Sequence, residues 1–240
     1  IMATRTAYVG SSSKIGDCSA YTAEGIYSGI KEAFKVRFAS DSIKQALIAI
    51  QGLGHVGMAL AERLYRGGAS LIVSDLDPRK TEYACQRFNA KVVASEAICQ
   101  QDCEIFSPCG LGGIINADSI PHLRCAIIAG AANNQLAADS DEQLLRDRGI
   151  LYVPDFAINA GGLIYASMRF AGEAQSRIDE KLHGLPATIH ELLDNAKDKA
   201  QTPLQTAILM AQQRIAAGPR ATASSTKPEP VSSHGQKSTQ

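Results

Sequence analysis

The sequence has no tryptophan, few other aromatic residues and no excess of charge of either sign. Of its 240 residues, 5% are aromatic, and 24 basic side chains balance 24 acidic ones. Because the charges cancel, no broad positive field exists to attract nucleic acid or an anionic membrane surface. The composition therefore argues against both of these partners.

Long hydrophobic runs are also missing. No uncharged apolar stretch reaches the roughly 18 residues that a membrane-spanning helix requires. The amino end has no basic segment followed by an apolar one, as a secretory signal would. These two absences predict a non-secreted protein of the cytoplasm.

The six cysteines form no disulfide or metal-binding pattern. They occur at positions 18, 85, 99, 103, 109 and 125, without C-x-x-C spacing and without neighbouring histidines. This spacing supports neither a zinc site nor a set of disulfides. We expect no bound metal and reduced, mostly buried thiols, with Cys109 serving as a small packing residue.

Short apolar runs alternate with longer amphipathic stretches along most of the chain. The composition, 45% hydrophobic and 20% charged, is that of a folded globular protein. The runs are rich in Val and Ile, which is typical of parallel strands buried on both faces. They predict an α/β fold, a doubly wound and mostly parallel sheet with flanking helices. The predicted strands are 46–50, 70–74, 91–93, 104–106, 125–129 and 151–154.

Helix signals lie between these strands, and a helix is expected in each interval. Asp77 followed by Pro78 predicts a capped helix that ends near Phe88, and Ser140 is expected to cap the segment 141–148. Longer helices are predicted at 24–38, 186–200 and 203–216.

A glycine-rich loop follows the first predicted strand directly. In the pattern G-x-G-x-x-G, the first glycine permits a tight turn, the second lets backbone amides approach a pyrophosphate, and the third lets helix and strand pack closely. The amino end of the next helix then offers unpaired N–H groups to the anion. The alternative is a glycine-rich turn without a ligand, and His55 is expected to face solvent. The loop consists of Gly52, Leu53, Gly54, His55, Val56 and Gly57.

An acidic residue at the expected distance supports dinucleotide binding. Asp75 follows the second predicted strand, 18 residues beyond Gly57, where a Rossmann fold places the carboxylate that binds the adenosine ribose. The extra phosphate of NADP would lie about 5 Å from this carboxylate, and at a dielectric constant of about 20 the repulsion is about 3 kcal/mol per unit charge. NAD is therefore the expected cofactor. Arg79 and Lys80 are close enough in sequence to soften the repulsion, so NADP stays open.

Four further segments resemble the amino-acid dehydrogenase family that includes the leucine, phenylalanine, valine and glutamate enzymes. They are G-D-C-S-A-Y-T-A-E-G at 16–25, P-C-G-L-G-G at 108–113, G-A-A-N-N-Q-L at 130–136 and P-D-F-A-I-N-A-G-G at 154–162. Their order and spacing also fit the family. The resemblance covers about residues 1–217 and is greatest to the leucine branch.

The resemblance implies roles for particular residues at the cofactor. Thr22 is expected to orient the nicotinamide carboxamide, Asn134 to contact the nicotinamide ribose region, and Asn159 to lie where cofactor and substrate meet. Cys109 and Gly110 are expected beside the cofactor.

The same resemblance places the substrate pocket around Asn159. Ala157 and Leu163 flank that residue and are expected to contribute to the pocket together with it. Asn133 departs from the apolar residue common in the corresponding family segment, and an effect on loop packing is left open.

The activity implied by the resemblance is reversible, NAD-dependent oxidative deamination of a hydrophobic L-amino acid, leucine-like or aromatic, to the 2-oxo acid, ammonia and NADH. Family members carry a substrate-binding lobe, with a catalytic lysine in a G-G-G-K-like segment and a catalytic aspartate, ahead of the matching region. We expect neither catalytic residue in this chain, since Lys14 has no acidic partner or glycine-rich setting. The chain is therefore expected to be the cofactor lobe of the enzyme and to bind NAD without turnover.

Two alternatives remain at this stage. One is a natural one-lobe protein that binds NAD as a sensor or partner subunit, and the other is a different Rossmann oxidoreductase. The second would have to explain Asn134 and Asn159 within their matching segments. The family resemblance also implies that the full-length protein is a homo-oligomer.

The expected organisation has four parts. Residues 1–38 form an inter-domain segment and hinge helix, 39–184 the NAD-binding Rossmann domain, and 185–217 helices that pack back on the domain or hinge. The segment 218–240 is rich in Ser, Thr and Pro and too poor in apolar residues to offset its ordering entropy. It is predicted to be disordered.

Overall fold

A single six-stranded sheet forms the centre of the protein. The computed structural model describes residues 16–218. Its strands are β1 (Leu47–Gln51), β2 (Ser70–Ser74), β3 (Lys91–Val92), β4 (Cys103–Pro108), β5 (Cys125–Ile128) and β6 (Leu151–Tyr152). They pair in parallel in the order β3-β2-β1-β4-β5-β6. This is the order of a doubly wound α/β sheet, so the predicted fold class is confirmed.

The centre of the sheet is fully buried, but its edge is not. β1 lies between β2 and β4, and Ile48, Ala49 and Ile50 have no exposed surface. This is the burial expected of a parallel strand that is covered on both faces. Val92 in β3 is 45% exposed, because β3 has two residues and pairs only with β2. The expectation that 91–93 is buried on both faces is therefore wrong for Val92.

Helices surround the sheet. They are α1 (Ser19–Phe38), α2 (His55–Arg66), α3 (Pro78–Phe88), α4 (Asp141–Asp147), α5 (Asp155–Ile158), α6 (Gly161–Phe170), α7 (Gln175–His183), α8 (Leu185–Asp198) and α9 (Pro203–Ala216). None of the helices described for residues 16–218 has the length and apolar character needed to cross a lipid bilayer.

The first helix begins five residues before the predicted start at Glu24. The Asp17 carboxylate accepts a 2.8 Å hydrogen bond from the Ser19 N–H, and hydrogen bonds from Ser19 lower the pKa of Asp17. A carboxylate also interacts favourably with the positive end of a helix. The cap predicted for α3 is confirmed, because Asp77 accepts a 3.1 Å bond from the Arg79 N–H.

The two faces of the sheet are covered differently. On one face, helices α1, α2, α3 and α8 share a core with Ile48 and Ile50 of β1. On the other face, Ala49 packs with Ile98 of a short 3-10 turn and with Leu145 of α4. No α-helix lies between β3 and β4 or between β4 and β5.

The expectation of a helix between every pair of strands is therefore wrong at these two crossovers. The segment 109–124, which leads from β4 to β5, contains three glycines and Pro121. Glycine and proline are the two residues that disfavour a helix most strongly. The chain crosses there through loops and one 3-10 turn, Ile120–His122.

The C-terminal helices are joined to the first helix through α8. α8 contacts α1, and α9 contacts α8. A capping box starts α9: the Thr202 hydroxyl accepts from the Gln205 N–H, and the Gln205 side chain accepts from the Thr202 N–H. α9 has its predicted bounds, while the domain boundaries after residues 38 and 184 stay a prediction. Lys14 and the predicted tail beyond Gly218 lie outside the described residues.

The start of α4 differs from the prediction. Ser140 makes no side-chain capping bond, so the expected cap is wrong. Instead, the Asp141 carboxylate accepts a 2.9 Å bond from the Ala138 N–H. Glu142 is 3% exposed, and its carboxylate accepts a 2.8 Å bond from the Leu204 N–H in the first turn of α9. A buried carboxylate thus joins α4 to α9.

Burial changes the pKa of the Glu142 carboxyl group. It raises the pKa of Glu142, and the hydrogen bonds from Thr202 and Leu204 only partly oppose it. A carboxyl group whose pKa is higher in the folded state adds stability below its unfolded pKa and loses that contribution as the pH rises through the folded pKa. The Glu142 carboxyl therefore favours the fold most when it is protonated.

Substituting Glu142→Ala should lower the free energy of unfolding by about 1–3 kcal/mol, because the Leu204 N–H would stay buried without a partner. Urea denaturation measures this change. Gln143→Ala is the matched control: Gln143 is the exposed neighbour that donates to Asp147, and its loss should change stability by less than about 0.5 kcal/mol. Equal effects of the two substitutions would show that the bond between Glu142 and the Leu204 N–H does not stabilise the fold.

Candidate dinucleotide site

The crevice of the sheet lies between β1 and β4. From β1 the sheet continues to β2 and β3, and from β4 it continues to β5 and β6, so the strand order reverses at this pair. In doubly wound sheets, ligands bind at such a switch point, beyond the carboxyl ends of the strands. The loops that follow β1, β4, β5 and β6 therefore define the candidate site.

The loops after β1 and β4 touch through their backbones. Gly52 has a φ of +92°, which L side chains rarely adopt. A Cβ on Gly52 would lie 2.9 Å from the Gly110 N atom and 3.0 Å from the carbonyl carbon of Cys109. The Cys109 N–H in turn donates a 2.7 Å bond to the Gln51 carbonyl. Because no side chain fits between the two loops, position 52 requires glycine.

The other two glycines of the first loop have opposite surroundings. A Cβ on Gly57 would collide with the carbonyl oxygen of Gly52, whereas a Cβ on Gly54 would have no heavy atom within 4 Å. Gly54 is the N-cap of α2, and His55, the first residue of that helix, is exposed. Gly57 is thus required for packing, while Gly54 leaves the amino end of α2 open to an anion.

Leu53 joins the glycine-rich loop to the end of β2. Its side chain is 2% exposed in the core, and its N–H donates a 2.6 Å bond to the Asp75 carboxylate. The side chain of Val56 is partly buried against the same core. The other Asp75 oxygen accepts a 2.9 Å bond from the Asp77 N–H and lies 3.4 Å from Lys80 Nζ. A carboxylate has about four lone-pair positions, so Asp75 retains one for a ligand.

The Asp75 carboxylate is ionised at neutral pH. Its partial burial raises the pKa, but hydrogen bonds from the Asp77 and Leu53 N–H groups and the charge of Lys80 together lower the pKa of Asp75 below its ordinary value. The nearby Arg79 guanidinium binds the Asp77 carboxylate at 3.0 and 2.8 Å. Lys80, and not Arg79, is therefore the cation in contact with Asp75.

Buried polar side chains join the loops after β5 and β6. Gln135 has no exposed surface, and its Nε2 donates to the carbonyl oxygens of Gly130 and Ala132 at 2.9 and 3.0 Å. The Asp155 carboxylate accepts from the Gln135 N–H at 3.1 Å and from the Phe156 N–H at 2.6 Å. The sequence predicts no role for Gln135 or Asp155. The signal that could have found them is a polar residue inside an otherwise apolar, glycine-rich strand end.

Two predicted site residues, Asn134 and Asn159, lie on these loops. Asn134 has a φ of +53°, and its carbonyl oxygen accepts a 2.7 Å bond from the Gly113 N–H in the loop after β4. Asn159 follows α5, and its Nδ2 donates to the Ala131 carbonyl at 3.3 Å and to Asn133 Oδ1 at 2.7 Å. The loops after β4, β5 and β6 are thus hydrogen-bonded to one another.

Thr22 lies at the same edge because α1 packs closely on α6. A Cβ on Gly162 would collide with the Thr22 hydroxyl oxygen. The rings of Tyr21 and Tyr165 stack with their centroids 3.9 Å apart. The hydroxyl of Thr22 therefore lies against the first turn of α6, which follows Asn159 in the chain.

Cys109 has the surroundings of a packing residue. Its Sγ lies 3.6 Å from Ser107 Oγ, and burial raises the pKa of the Cys109 thiol. Burial also raises the pKa of Cys103 and of Cys125 to about 12. A thiol with a raised pKa is a poor nucleophile. Within residues 16–218, no group of three His, Cys, Asp or Glu side chains is arranged to hold a metal ion.

A mainly apolar cavity of about 620 Å³ lies between α5, α6 and the C-terminal helices α7 to α9. Charged residues of α7 and α9 also lie in the wall of this cavity, namely Arg177, Glu180, Lys181 and Arg214. Ala157 and Ala160, which flank Asn159 closely in the chain, line it together with Ile164. Leu163 is not among the lining residues and is 58% exposed. Of the two residues predicted to flank Asn159 in a pocket, the structure places Ala157 in the cavity wall and Leu163 outside it.

The parallel sheet, the glycine-rich loop at its switch point and the carboxylate beside that loop define the Rossmann class of α/β proteins. Within this class, the family model for Glutamate/Leucine/Phenylalanine/Valine dehydrogenase matches residues 76–222. The chain belongs to this family, and the resemblance predicted from its motifs is confirmed.

Individual relatives agree with this assignment. The chain is 38% identical over 200 residues to leucine dehydrogenase from Thermoactinomyces intermedius, covering 83% of this chain and 55% of that enzyme. It is 41% identical over 208 residues to L-tryptophan dehydrogenase from Nostoc punctiforme, covering 86% of this chain and 59% of that enzyme. The chain thus spans a little over half the length of the curated relatives it matches.

Solved structures show the same fold. A crystal structure of L-tryptophan dehydrogenase from Nostoc punctiforme matches with a TM-score of 0.81 at 39% identity, over 84% of this chain and 62% of that chain. A hetero-hexameric glutamate dehydrogenase from Thermus thermophilus matches with a TM-score of 0.66 at 19% identity, over 82% of this chain and 52% of that chain. The second likeness is one of fold alone.

The opposite surroundings of Gly57 and Gly54 lead to a testable difference in stability. Gly57→Ala should lower the free energy of unfolding by at least about 2 kcal/mol, since its Cβ displaces the Gly52 backbone. Gly54→Ala adds a methyl group in open space and should change stability by less than about 1 kcal/mol. Urea denaturation of both variants checks this, and a Gly57→Ala protein as stable as Gly54→Ala would refute the packing role.

Proposed function

We propose that this chain is the NAD-binding part of an amino-acid dehydrogenase that converts a hydrophobic L-amino acid reversibly to its 2-oxo acid, ammonia and NADH. The observation that carries the proposal is the open amino end of α2 at Gly54 beside the Asp75 carboxylate. An anion at a helix amino end and a ribose at a carboxylate are the contacts that a dinucleotide needs. Membership of the family supports an amino acid as the substrate.

The residues around the crevice fit the two ends of a dinucleotide. The backbone N–H groups after Gly54 would hold the pyrophosphate, and the remaining lone pair of Asp75 would accept from an adenosine ribose hydroxyl. At the other end, Thr22, Asn134 and Asn159 would orient the nicotinamide half. When bound, NAD accepts a hydride from the α carbon of the amino acid. The small Cys109 and the glycine beside it leave room for the nicotinamide ring.

NAD is proposed in preference to NADP because of the charges around Asp75. A phosphate on the adenosine ribose would meet the ionised Asp75 carboxylate. The guanidinium of Arg79, which could compensate, is bound by Asp77 in the same turn. The charges within this turn therefore favour a ribose with free hydroxyls.

The apolar cavity supports a hydrophobic substrate. Its volume of about 620 Å³ and its apolar lining at Ala157, Ala160 and Ile164 suit a leucine-like or aromatic side chain. The loops after β1, β4, β5 and β6 contain no lysine. We therefore assign binding and orientation to this chain and the acid–base chemistry on the imine to residues outside these loops. Acid–base assistance is worth about 10²–10⁴ in rate, so we expect the chain alone to bind NADH without turnover.

Titration of the purified chain with NADH, followed by nicotinamide fluorescence, tests the proposal. Gly54→Ala should weaken NADH binding at least about tenfold, because its Cβ would occupy the space through which the pyrophosphate approaches α2. Gly184→Ala, at the junction of α7 and α8, is the control: its Cβ would meet nothing nearer than 3.4 Å, and binding should not change. Failure of the unsubstituted chain to bind NADH would overturn the proposal.

A turnover assay, together with the sequence encoded upstream, separates the dehydrogenase from the alternative, a one-lobe NAD-binding sensor or partner subunit. The same preparation is assayed with NAD and leucine, phenylalanine or tryptophan, and NADH formation is followed by absorbance. Formation of NADH would exclude the sensor. If none forms, a G-G-G-K segment in the same reading frame upstream of Ile1 would support the dehydrogenase and leave the sensor without support. A homo-oligomeric full-length protein stays a prediction.

Asp77→Ser should increase the affinity for NADPH about tenfold relative to NADH. Serine keeps an oxygen that can cap α3 but releases the Arg79 guanidinium, which can then pair with the ribose phosphate. Parallel titrations with NADH and NADPH measure the ratio of the two dissociation constants. Adding Arg79→Ala to Asp77→Ser is the control and should remove the gain. A gain that persists in the double variant would show that Arg79 is not responsible.

A further inference from the structure

Asn133 and Asn159 form a side-chain pair across two loops of the site. Asn159 Nδ2 donates a 2.7 Å hydrogen bond to Asn133 Oδ1 and a 3.3 Å bond to the Ala131 carbonyl. Asn133 lies in the loop after β5, and Asn159 follows α5. The side chain of Asn133 therefore contacts the residue that is assigned to the junction of cofactor and substrate.

These two acceptors determine which end of the Asn159 amide faces the loop. A backbone carbonyl can only accept, so Ala131 selects Nδ2 and not Oδ1 of Asn159. The amide nitrogen has two N–H groups, and both are used, one for Ala131 and one for Asn133. The Asn159 Oδ1 atom forms no hydrogen bond within residues 16–218 and stays available as an acceptor.

The backbone at Asn133 is held in place by its neighbours. A Cβ on Gly112 would lie 2.5 Å from the Asn133 carbonyl oxygen and 2.8 Å from that of Asn134, so the loop after β4 packs directly on this one. The buried side chain of Gln135 holds the same loop through two further carbonyl groups. The Asn133 side chain consequently starts from a defined position.

We infer that Asn133 is a positioning residue that keeps Asn159 Oδ1 turned toward the ligand, as an acceptor for an N–H donor of the nicotinamide carboxamide or of the amino-acid substrate. The inference rests on the proposed function. With an apolar residue at 133, only the 3.3 Å bond to Ala131 would orient the amide, which rotates readily about its last torsion. Asn133 thereby determines that Asn159 presents an acceptor, and not a donor, to the ligand.

A ligand-free measurement tests the pair itself. Asn133→Leu removes the acceptor, whereas Asn133→Asp keeps an oxygen that accepts. The side-chain amide resonances of Asn159 are assigned by their loss in Asn159→Ala and followed by ¹⁵N NMR. The proton resonances should move upfield in Asn133→Leu, where the hydrogen bond is lost, and stay downfield in Asn133→Asp, where an acceptor is kept. Resonances that do not respond to Asn133→Leu would overturn the inference, whether or not NADH binds.

Ligand binding tests the consequence for the site. Asn133→Leu should weaken ligand binding about fivefold. Asn133→Asp keeps the acceptor and should weaken binding less. A loss in NADH binding measured without amino acid places the donor on the carboxamide, and a loss confined to leucine binding, titrated in the presence of NADH, places it on the amino group. In the Asn159→Ala background, Asn133→Leu should have no further effect. An undiminished effect of Asn133→Leu in that background, or no effect on the binding of either ligand, would overturn the inference. If the unsubstituted chain does not bind NADH, the proposed function fails instead.

Discussion

The candidate site depends on the close approach of two backbones, those of the loops after β1 and β4. A Cβ on Gly52 would meet the backbone of the second loop, and a Cβ on Gly57 would meet Gly52 itself. Because neither loop can move without displacing the other, the amino end of α2 has a fixed position over the switch point of the sheet. The open space at Gly54 follows from that position, and so does the hydrogen bond from the Leu53 N–H to the Asp75 carboxylate.

The two halves of the crevice are organised by different chemistry. At the end of β2, an ionised carboxylate and three nearby charged side chains contact one another within a single turn, so charge dominates that end of the crevice. Beyond β5 and β6, hydrogen bonds between amide side chains and backbone carbonyls hold the loops together, with Gln135 and Asn159 as the main donors. Amides supply directed hydrogen bonds without a strong field, which suits the end proposed for the nicotinamide.

Elements that are distant in the sequence meet at this edge. Thr22 comes from the first helix, and Gly162 and the stacked Tyr165 come from α6. The C-terminal helices α7 to α9 form the other walls of the cavity that Ala157 and Ile164 line. The described residues therefore bring the candidate site and one wall of the cavity together, in a chain that spans a little over half the length of its matched relatives.

Local patterns by themselves determined the elements whose signals lie in neighbouring residues. The bounds of β2 and α9, the cap at Asp77 and the glycine loop all follow from short-range pattern, propensity and backbone sterics. Only the tertiary structure decided the partners of Glu142, Gln135 and Asn159, because each bond joins loops or helices that the sheet brings together. The exposed edge at Val92 was decided in the same way, since a strand is buried only where another strand or helix lies against it.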